Sequence, residues 1–121
     1  DTIHYLKPHT VTLITSTQYP NNGNRRALGF DKPLLEYDSI RSSVAKSASH
    51  LSYGHTGYTG AIAWADPDSD LIFIFLTNRV YPSRTYRSIY QLNVRPNLHQ
   101  LFYNYLEVTE PSNQAPVGNL K

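Results

Sequence analysis

The residues best suited to chemistry are His55, Thr56 and Gly57, which follow one another in a stretch with the composition of a β-strand. Since successive side chains of a strand point to opposite faces, His55 and Thr56 would project from opposite sides of it. Gly57 and Gly60 would let a ligand or another backbone approach the strand closely. An imidazole, a hydroxyl and an accessible backbone N–H along one strand are suited to the wall of an acyl-transfer site.

The other histidines and the acidic cluster favour structural explanations. Four histidines lack the spacing of a zinc site such as His-Glu-x-x-His, and we interpret them as surface or capping residues: His4, His9, His50 and His99. The Asp-Pro-Asp-Ser-Asp run at 66–70 lacks the glycine and the distant glutamate of a calcium loop, so a hairpin turn is favoured. The sequence therefore predicts no metal site and no cofactor.

The composition is that of one small domain. The chain has 121 residues, of which 40% are hydrophobic, and it has no cysteine, which excludes a disulfide scaffold, a thiolate metal site and a cysteine nucleophile. The net charge of +2 is too weak to indicate nucleic-acid binding, and the longest apolar run, 71–76, is too short to span a membrane. Because the chain has no methionine and opens without a signal-peptide pattern, we expect it to be part of a longer protein.

The periodicity predicts an α+β fold with a partial antiparallel sheet of about three strands and flanking helices. Pro8 suits the first position of a helix over residues 6–18, and a turn cluster follows at 19–24. Residues 25–30 are predicted to form a short strand. Residues 53–65 and 71–76 are predicted to form an antiparallel hairpin, with Ile62 and Trp64 on the same face. Because the strand at 71–76 is apolar on both faces, we expect it to be central and covered on both sides.

The remaining elements are a loop, a helix and a tail. Three apolar residues of the loop at 31–50 are predicted to anchor it to the core: Leu34, Leu35 and Ile40. A helix is predicted to begin at Pro96, and its apolar face follows Val94 at helical spacing: Leu98, Leu101, Phe102 and Tyr105. Residues 1–108 are predicted to form the domain and 109–121 a flexible tail. So short a sheet leaves edges and one face uncovered, so we expect a second copy or a missing segment to cover them.

The stretch around His55 resembles a known family. The residues that carry the resemblance are Tyr53-Gly54-His55-Thr56-Gly57-Tyr58-Thr59-Gly60, then Trp64-Ala65-Asp66-Pro67, then Leu76-Thr77-Asn78-Arg79-Val80-Tyr81-Pro82. Their order is similar to the C-terminal part of the serine β-lactamase and penicillin-binding-protein-like hydrolases, nearest to the class C, esterase and D-aminopeptidase-like branch. The resemblance extends from about Tyr5 to Leu106. It is particularly close to β-lactamase-like domains that some bacteria fuse to a family 3 glycoside hydrolase.

The resemblance implies the C-terminal portion of a β-lactamase-like fold and a role for each matching residue. His55, Thr56 and Gly57 would be the third active-site motif, in which His55 and Thr56 orient the substrate and support the proton network around the nucleophile. The backbone N–H of Tyr58 would be one donor of the oxyanion hole. Three residues at the end of the neighbouring strand are candidates for substrate binding: Asn78, Arg79 and Tyr81.

The family also requires a Ser-x-x-Lys nucleophile pair and a Tyr-x-Asn or Ser-x-Asn motif before the third motif. Ser43-Val44-Ala45-Lys46 and Tyr19-Pro20-Asn21 match these patterns formally, but in the reverse order. Ser43 also lies in a polar loop without an amphipathic helix. We therefore interpret both matches as coincidental and expect the nucleophile upstream of this chain.

Two function hypotheses follow. In the first, the chain is the C-terminal fragment of a serine hydrolase that acts on an ester, amide or lactam by acyl-enzyme chemistry, and it is inactive alone. In the second, it is a non-catalytic β-lactamase-like interaction or scaffold module. We favour the first, and His55 in place of lysine favours esterase or peptidase chemistry over penicillin-type recognition. The expected partners are the missing N-terminal part or a second copy, and a small acyl substrate. The family implies a periplasmic or extracellular location in bacteria.

Overall fold

The computed structural model describes residues 5–109. The elements in chain order are α1 (Pro8–Thr15), β1 (Tyr53–Thr56), β2 (Ile62–Asp66), β3 (Leu71–Phe75), α2 (Ser88–Gln91) and α3 (Val94–Thr109), with short 3-10 helices at Asn21–Gly23 and Pro67–Ser69. The strands form one antiparallel sheet in the order β1-β2-β3. The predicted α+β class is confirmed. Within this part of the chain, no helix is long and apolar enough to cross a membrane.

The predicted strand over 53–65 is in fact two strands joined by a turn. β1 pairs with β2 from Tyr53 opposite Ala65 to Thr56 opposite Ile62. Gly60 has a φ of 95°, a conformation that glycine adopts without strain and that interrupts a strand. Glycines that break a strand and glycines inside one look alike in the sequence, which is why the prediction missed the turn. The hairpin of β2 and β3 is confirmed.

The central strand of the described sheet is β2, whereas β3 lies at an edge. The prediction that the strand at 71–76 is central and covered on both sides is therefore wrong for residues 5–109. Phe73 faces the core and is 4% exposed, but Ile72 and Ile74 on the other face are 73% and 61% exposed. A strand that is apolar on both faces is expected to be buried on both, but its sequence does not identify the segment that covers each face.

Residues 25–30 do not form the predicted strand. Arg26 makes an isolated bridge with Asp31, and Asp31 makes a second one with Gly54 of β1. Between Arg26 and Asp31 the chain reverses direction at Gly29, whose φ is 80°. The segment is too tightly turned to build a ladder, but the backbone of Asp31 exchanges hydrogen bonds of 2.7 and 3.0 Å with Gly54. Asp31 therefore covers part of the outer edge of β1.

The core lies on the inner face of the sheet. It is formed by four buried residues: Val44, Ile62, Trp64 and Phe73. Ile62 and Trp64 share this face, as predicted. The predicted loop anchors are largely wrong, because Leu35 and Ile40 are exposed and only Leu34 is half-buried. Val44 and Ala45 dock instead, and the backbone N–H of Ala45 donates to Nδ1 of His99 at 3.3 Å.

Helix α3 begins at Val94, two residues before the predicted start, and only part of its predicted face packs on the core: Leu98 contacts the core residues, and the Phe102 ring lies 5.4 Å from that of Phe73. The buried residues of α3 are Arg95, Pro96, His99 and Tyr103. Leu101 and Tyr105, predicted to face the core, are 60% and 66% exposed. His99 is completely buried and stacks on Phe73 with ring centroids 4.5 Å apart, so its interpretation as a surface or capping residue is wrong. A polar aromatic ring packs like an apolar one, which an apolar periodicity does not detect.

Helix α1 lies within its predicted range, whereas α3 extends to Thr109, the first residue of the predicted tail. Helix α1 starts at Pro8, as predicted, and ends at Thr15, inside the predicted range of 6–18. His4 and residues 110–121 of the predicted tail lie outside the described residues.

Candidate active site

The predicted motif lies where β1 ends and the turn to β2 begins. His55 and Thr56 are the last residues of β1. Gly57 closes the turn, because its N–H donates to the Ala61 carbonyl at 2.8 Å. As predicted from strand alternation, the two side chains point to opposite faces: His55 is exposed, and Thr56 is half-buried on the core side.

The turn at 57–60 holds one backbone N–H outward. The N–H of Gly60 donates to the Gly57 carbonyl at 3.0 Å, the hydrogen bond of a four-residue β-turn. This carbonyl belongs to the same peptide unit as the N–H of Tyr58, and in a trans peptide the two point in opposite directions. The N–H of Tyr58 is therefore directed away from the turn. Among residues 5–109 it has no acceptor. Such a donor can stabilise negative charge that develops on a carbonyl oxygen.

The ring of His55 is oriented by the backbone. Its Nδ1 lies 3.0 Å from the carbonyl oxygen of Thr56, and because a carbonyl can only accept, Nδ1 carries the proton in this contact. In a neutral imidazole this leaves Nε2 as the acceptor, on a side chain that is open to solvent. The motif therefore offers a hydrogen-bond acceptor on the face opposite to Thr56.

Thr56 lines a cavity of about 40 Å³ on the core side of the sheet. Ser43, Arg41 and Trp64 also line it, and Trp64 has a buried Nε1 with no acceptor in the described part of the chain. Ser43 lies in a bend and not at the start of a helix, and Lys46 is exposed. The structure does not give Ser43 and Lys46 the helical placement that a Ser-x-x-Lys pair has in the family.

The three candidates for substrate binding lie beyond the end of β3 and have different environments. The Nε of Arg79 donates to the Tyr58 carbonyl at 2.9 Å, so Arg79 lies against the turn. Asn78 and Tyr81 are exposed, and Tyr81 donates its N–H to the Asn78 carbonyl at 3.3 Å. The structure thus brings Arg79 to the motif and leaves the side chains of Asn78 and Tyr81 open to solvent.

Three glycines near the motif differ in what a side chain would meet. At Gly54 an added Cβ would lie 2.2 Å from the Ala63 carbonyl oxygen, and at Gly60 it would lie 2.7 Å from Cδ1 of Ile89. At Gly57 the nearest atom would be 3.7 Å away, which is an ordinary contact. The fold therefore requires glycine at 54 and 60, whereas at 57 the described structure has room for a side chain.

A buried polar network behind the site was not predicted from the sequence. Asp66 accepts hydrogen bonds from the hydroxyls of Ser49 and Tyr103, both at 2.6 Å, and from the N–H groups of Ser49 and Asp68 at 2.8 and 3.1 Å. Burial acts to raise the pKa of Asp66, but these hydrogen bonds together outweigh it and hold the pKa below its usual value. The network ties the end of β2 to the loop before β1 and to α3. Apart from Asp68, its partners lie far from Asp66 in sequence, so no local pattern indicated the contacts with Ser49 and Tyr103.

Burial also changes the acid–base properties of α3. It lowers the pKa of His99 to about 4, and the nearby carboxylate of Asp66 offsets only part of this effect. His99 is therefore neutral at pH 7. Burial and the hydrogen bond to Asp66 raise the pKa of Tyr103 well above its usual range, so Tyr103 keeps its proton.

The antiparallel sheet, the His-Thr-Gly motif at the end of β1 and the packed C-terminal helix are the features of a β-lactamase-like domain. A model of the β-lactamase family matches residues 7–95, which is more than half of the chain. The chain therefore belongs to the β-lactamase family, within the serine hydrolases.

Comparison with solved structures supports the same fold. A β-lactamase from Mycobacterium bovis superposes with a TM-score of 0.65 over 84% of this chain, at 20% sequence identity. This chain spans 38% of the length of that protein. A comparison with curated proteins finds no match.

Proposed function

We propose that this chain is the C-terminal part of a serine hydrolase that cleaves an ester, amide or lactam through an acyl-enzyme. The N–H of Tyr58 carries the proposal: it is directed out of a hydrogen-bonded turn and has no acceptor among residues 5–109. In this role it stabilises the oxyanion that forms when the serine attacks the carbonyl. The nucleophilic serine and its lysine lie in sequence that precedes Asp1, so the chain alone is inactive.

The glycine at 57 supports the same proposal. Gly54 and Gly60 have steric reasons to be glycine, but nothing in residues 5–109 requires glycine at 57. A bare Cα beside an outward N–H lets a substrate backbone or acyl group come close to that N–H. Gly57 is exposed, so this approach is open from solvent.

The side chains around the turn complete the proposed site. His55 and Thr56 orient the substrate and support the proton network of the serine, with His55 Nε2 available as an acceptor. Asn78 and Tyr81 contact the part of the substrate that extends beyond β3, since both side chains are exposed there. An imidazole at 55 in place of an ammonium lacks a fixed positive charge for a substrate carboxylate, which favours simple esters and D-amino peptides over penicillins.

The uncovered face of the sheet supports a missing part of the same domain as the main partner. Ile72, Ile74 and Leu76 are all more than 60% exposed, and β3 pairs on one side only in the described sheet. The chain spans 38% of the Mycobacterium bovis protein, so most of a comparable domain has no counterpart here. A second copy of the chain is the alternative cover. The proposed location is periplasmic or extracellular, as is common for β-lactamase-like proteins.

The test uses the protein extended to include the sequence before Asp1. It should hydrolyse p-nitrophenyl esters or D-amino-acid anilides, and a fluorophosphonate probe should label one serine that mass spectrometry places in a Ser-x-x-Lys motif. A protein that hydrolyses no ester, anilide or lactam and takes up no probe would contradict the proposal. That result would favour the alternative, a non-catalytic scaffold module.

A matched pair of variants isolates the N–H of Tyr58. Proline is favoured at the second position of such a turn, so Tyr58→Pro removes the N–H with the turn retained. We expect it to lower kcat about 100-fold or more, the usual cost of one oxyanion-hole donor. Tyr58→Ala also removes the ring but keeps the N–H, and it leaves Arg79 its contacts with the Tyr58 carbonyl and the Tyr90 ring, so it should lose much less activity than Tyr58→Pro. Equal losses in both variants would mean that the ring matters and the N–H does not.

A further inference from the structure

Arg79 connects three segments through one side chain. Its Nε donates to the Tyr58 carbonyl and to the Tyr90 hydroxyl, both at 2.9 Å. Its Nη1 donates at 3.1 Å to the carbonyls of Arg84 and Tyr86. Its own backbone N–H donates to the Thr59 carbonyl at 2.9 Å. The turn at 57–60, the segment at 84–86 and helix α2 are thus held together at Arg79.

Two aromatic rings fix the guanidinium in place. Its central carbon lies 4.6 Å from the ring centroid of Tyr58 and 5.0 Å from that of Tyr90. A planar guanidinium can stack on rings and donate to several carbonyls at the same time. A lysine ammonium is a single compact charge and cannot reproduce this arrangement.

The contacts of Arg79 leave the turn with one orientation. Three carbonyls of the turn have partners: that of Gly57 is bound by Gly60, and those of Tyr58 and Thr59 are bound by Arg79. A peptide flip at 58 or 59 would break a hydrogen bond to Arg79. The N–H of Tyr58 shares its peptide with the Gly57 carbonyl, which the N–H of Gly60 binds, so Arg79 acts on it through the two following peptides. The backbone N–H of Arg79 holds the peptide that carries the Gly60 N–H, and the side chain of Arg79 holds the peptide between Tyr58 and Thr59.

We infer that Arg79 is a positioning residue for the oxyanion donor, an inference that rests on the proposed function and assigns Arg79 a role other than substrate binding. A donor preorganised toward developing charge is worth more than one that must reorient during the reaction. Arg79 acts through the backbone of the turn and not through contact with the substrate.

The first experiment does not depend on enzymatic activity. Backbone ¹⁵N relaxation of the extended protein should give Tyr58 an order parameter of about 0.85, the value of rigid backbone. In Arg79→Lys the order parameter of Tyr58 should fall toward about 0.6, the flexible range, whereas Arg84→Lys should leave it unchanged. Arg84 is a matched control, because Arg79 binds its backbone carbonyl and not its side chain. A flexible Tyr58 in the unchanged chain, or a rigid one in Arg79→Lys, would overturn the inference.

The second experiment separates positioning from stability and from binding. In the extended protein, Arg79→Lys should lower kcat roughly tenfold to 100-fold with KM unchanged, as expected for a catalytic group displaced by about 1 Å. Arg84→Lys should stay within about twofold of the unchanged protein. An Arg79→Lys protein that keeps its kcat would overturn the inference, and so would a loss confined to KM. An extended protein without any activity contradicts the proposed function, and the relaxation of Tyr58 then still decides whether Arg79 orders the turn.

Discussion

Replacing Asp66 with asparagine tests the buried network behind the site. Each carboxylate oxygen accepts one backbone N–H and one hydroxyl: Oδ1 binds Asp68 N–H and the Ser49 hydroxyl, and Oδ2 binds Ser49 N–H and the Tyr103 hydroxyl. In Asp66→Asn the amide oxygen can replace only one of them. The hydroxyl that faces the new NH₂ can rotate and accept, but the backbone N–H beside it cannot.

The magnitude follows from that count. One buried N–H without an acceptor costs about 1–3 kcal/mol, and the remaining hydrogen bonds lose the assistance of a negative charge. We expect the free energy of unfolding to fall by about 3 kcal/mol at pH 7 and Tm by roughly 10 °C. The effect depends on pH, because the pKa of Asp66 is lowered from its ordinary 3.8 in the folded state. The charged form therefore stabilises the fold above about pH 4, and this advantage is lost as the pH falls through the folded pKa.

Urea unfolding followed by tryptophan fluorescence measures this difference, because the chain has one tryptophan, Trp64, which is 3% exposed. Asp68→Asn is the matched control: Asp68 lies in the same turn with an exposed side chain, and we expect a change within about 0.5 kcal/mol. A loss of less than about 0.5 kcal/mol in Asp66→Asn would refute the reasoning. The difference in the free energy of unfolding between Asp66→Asn and the unchanged chain should become smaller in acid, and a difference that stays constant would also refute the reasoning.

Three further predictions use the same unfolding assay. Gly60→Ala should lower the free energy of unfolding by about 2 kcal/mol or more, because Gly60 has a positive φ and close contacts. Gly57→Ala should be nearly neutral, and a similar cost at both positions would contradict the steric argument. Burial lowers the pKa of His99 from 6.5 to about 4, so the unfolded state takes up the proton first as the pH falls. The free energy of unfolding should fall by about 3 kcal/mol between pH 6.5 and 4, and His99→Asn should lack this fall. If the free energy of unfolding falls equally with pH in both proteins, His99 is not the source of the pH dependence. Tyr103→Phe should cost about 2 kcal/mol, and less in the Asp66→Asn background, because the Tyr103 hydroxyl binds a neutral amide more weakly than a carboxylate. Strictly additive losses would argue against the contact.

The sequence predicted the features that depend on local pattern. The alternation of Ile62 and Trp64 with small residues gave the buried face of β2, and the run at 66–70 gave the turn to β3. Pro8 gave the start of α1. These features are decided by residues close together in the chain, so periodicity and turn chemistry suffice to predict them.

The predictions that were wrong concern features that depend on partners distant in sequence. The sequence does not show that His99 stacks on Phe73, so His99 was predicted to be a surface residue. It also does not show the strand order, so β3 was predicted to be central. At the site, the motif of His55 to Tyr58 was recognisable, but the contacts of Arg79 were not. Arg79 binds carbonyls, which carry no signature in the sequence, so only the structure separates it from Asn78 and Tyr81.

The exposed face of β3 has a consequence for the chain in isolation. The six residues at 71–76, Leu-Ile-Phe-Ile-Phe-Leu, have high β-propensity and contain no charge, proline or glycine, which is the signature of a steric-zipper segment. In the described sheet they form an edge with unpaired backbone groups, the usual template for cross-β growth. The nearest charges that flank the run are Asp70, directly before it, and Arg79, three residues after it. Whatever covers β3 therefore also protects the chain from amyloid-like association.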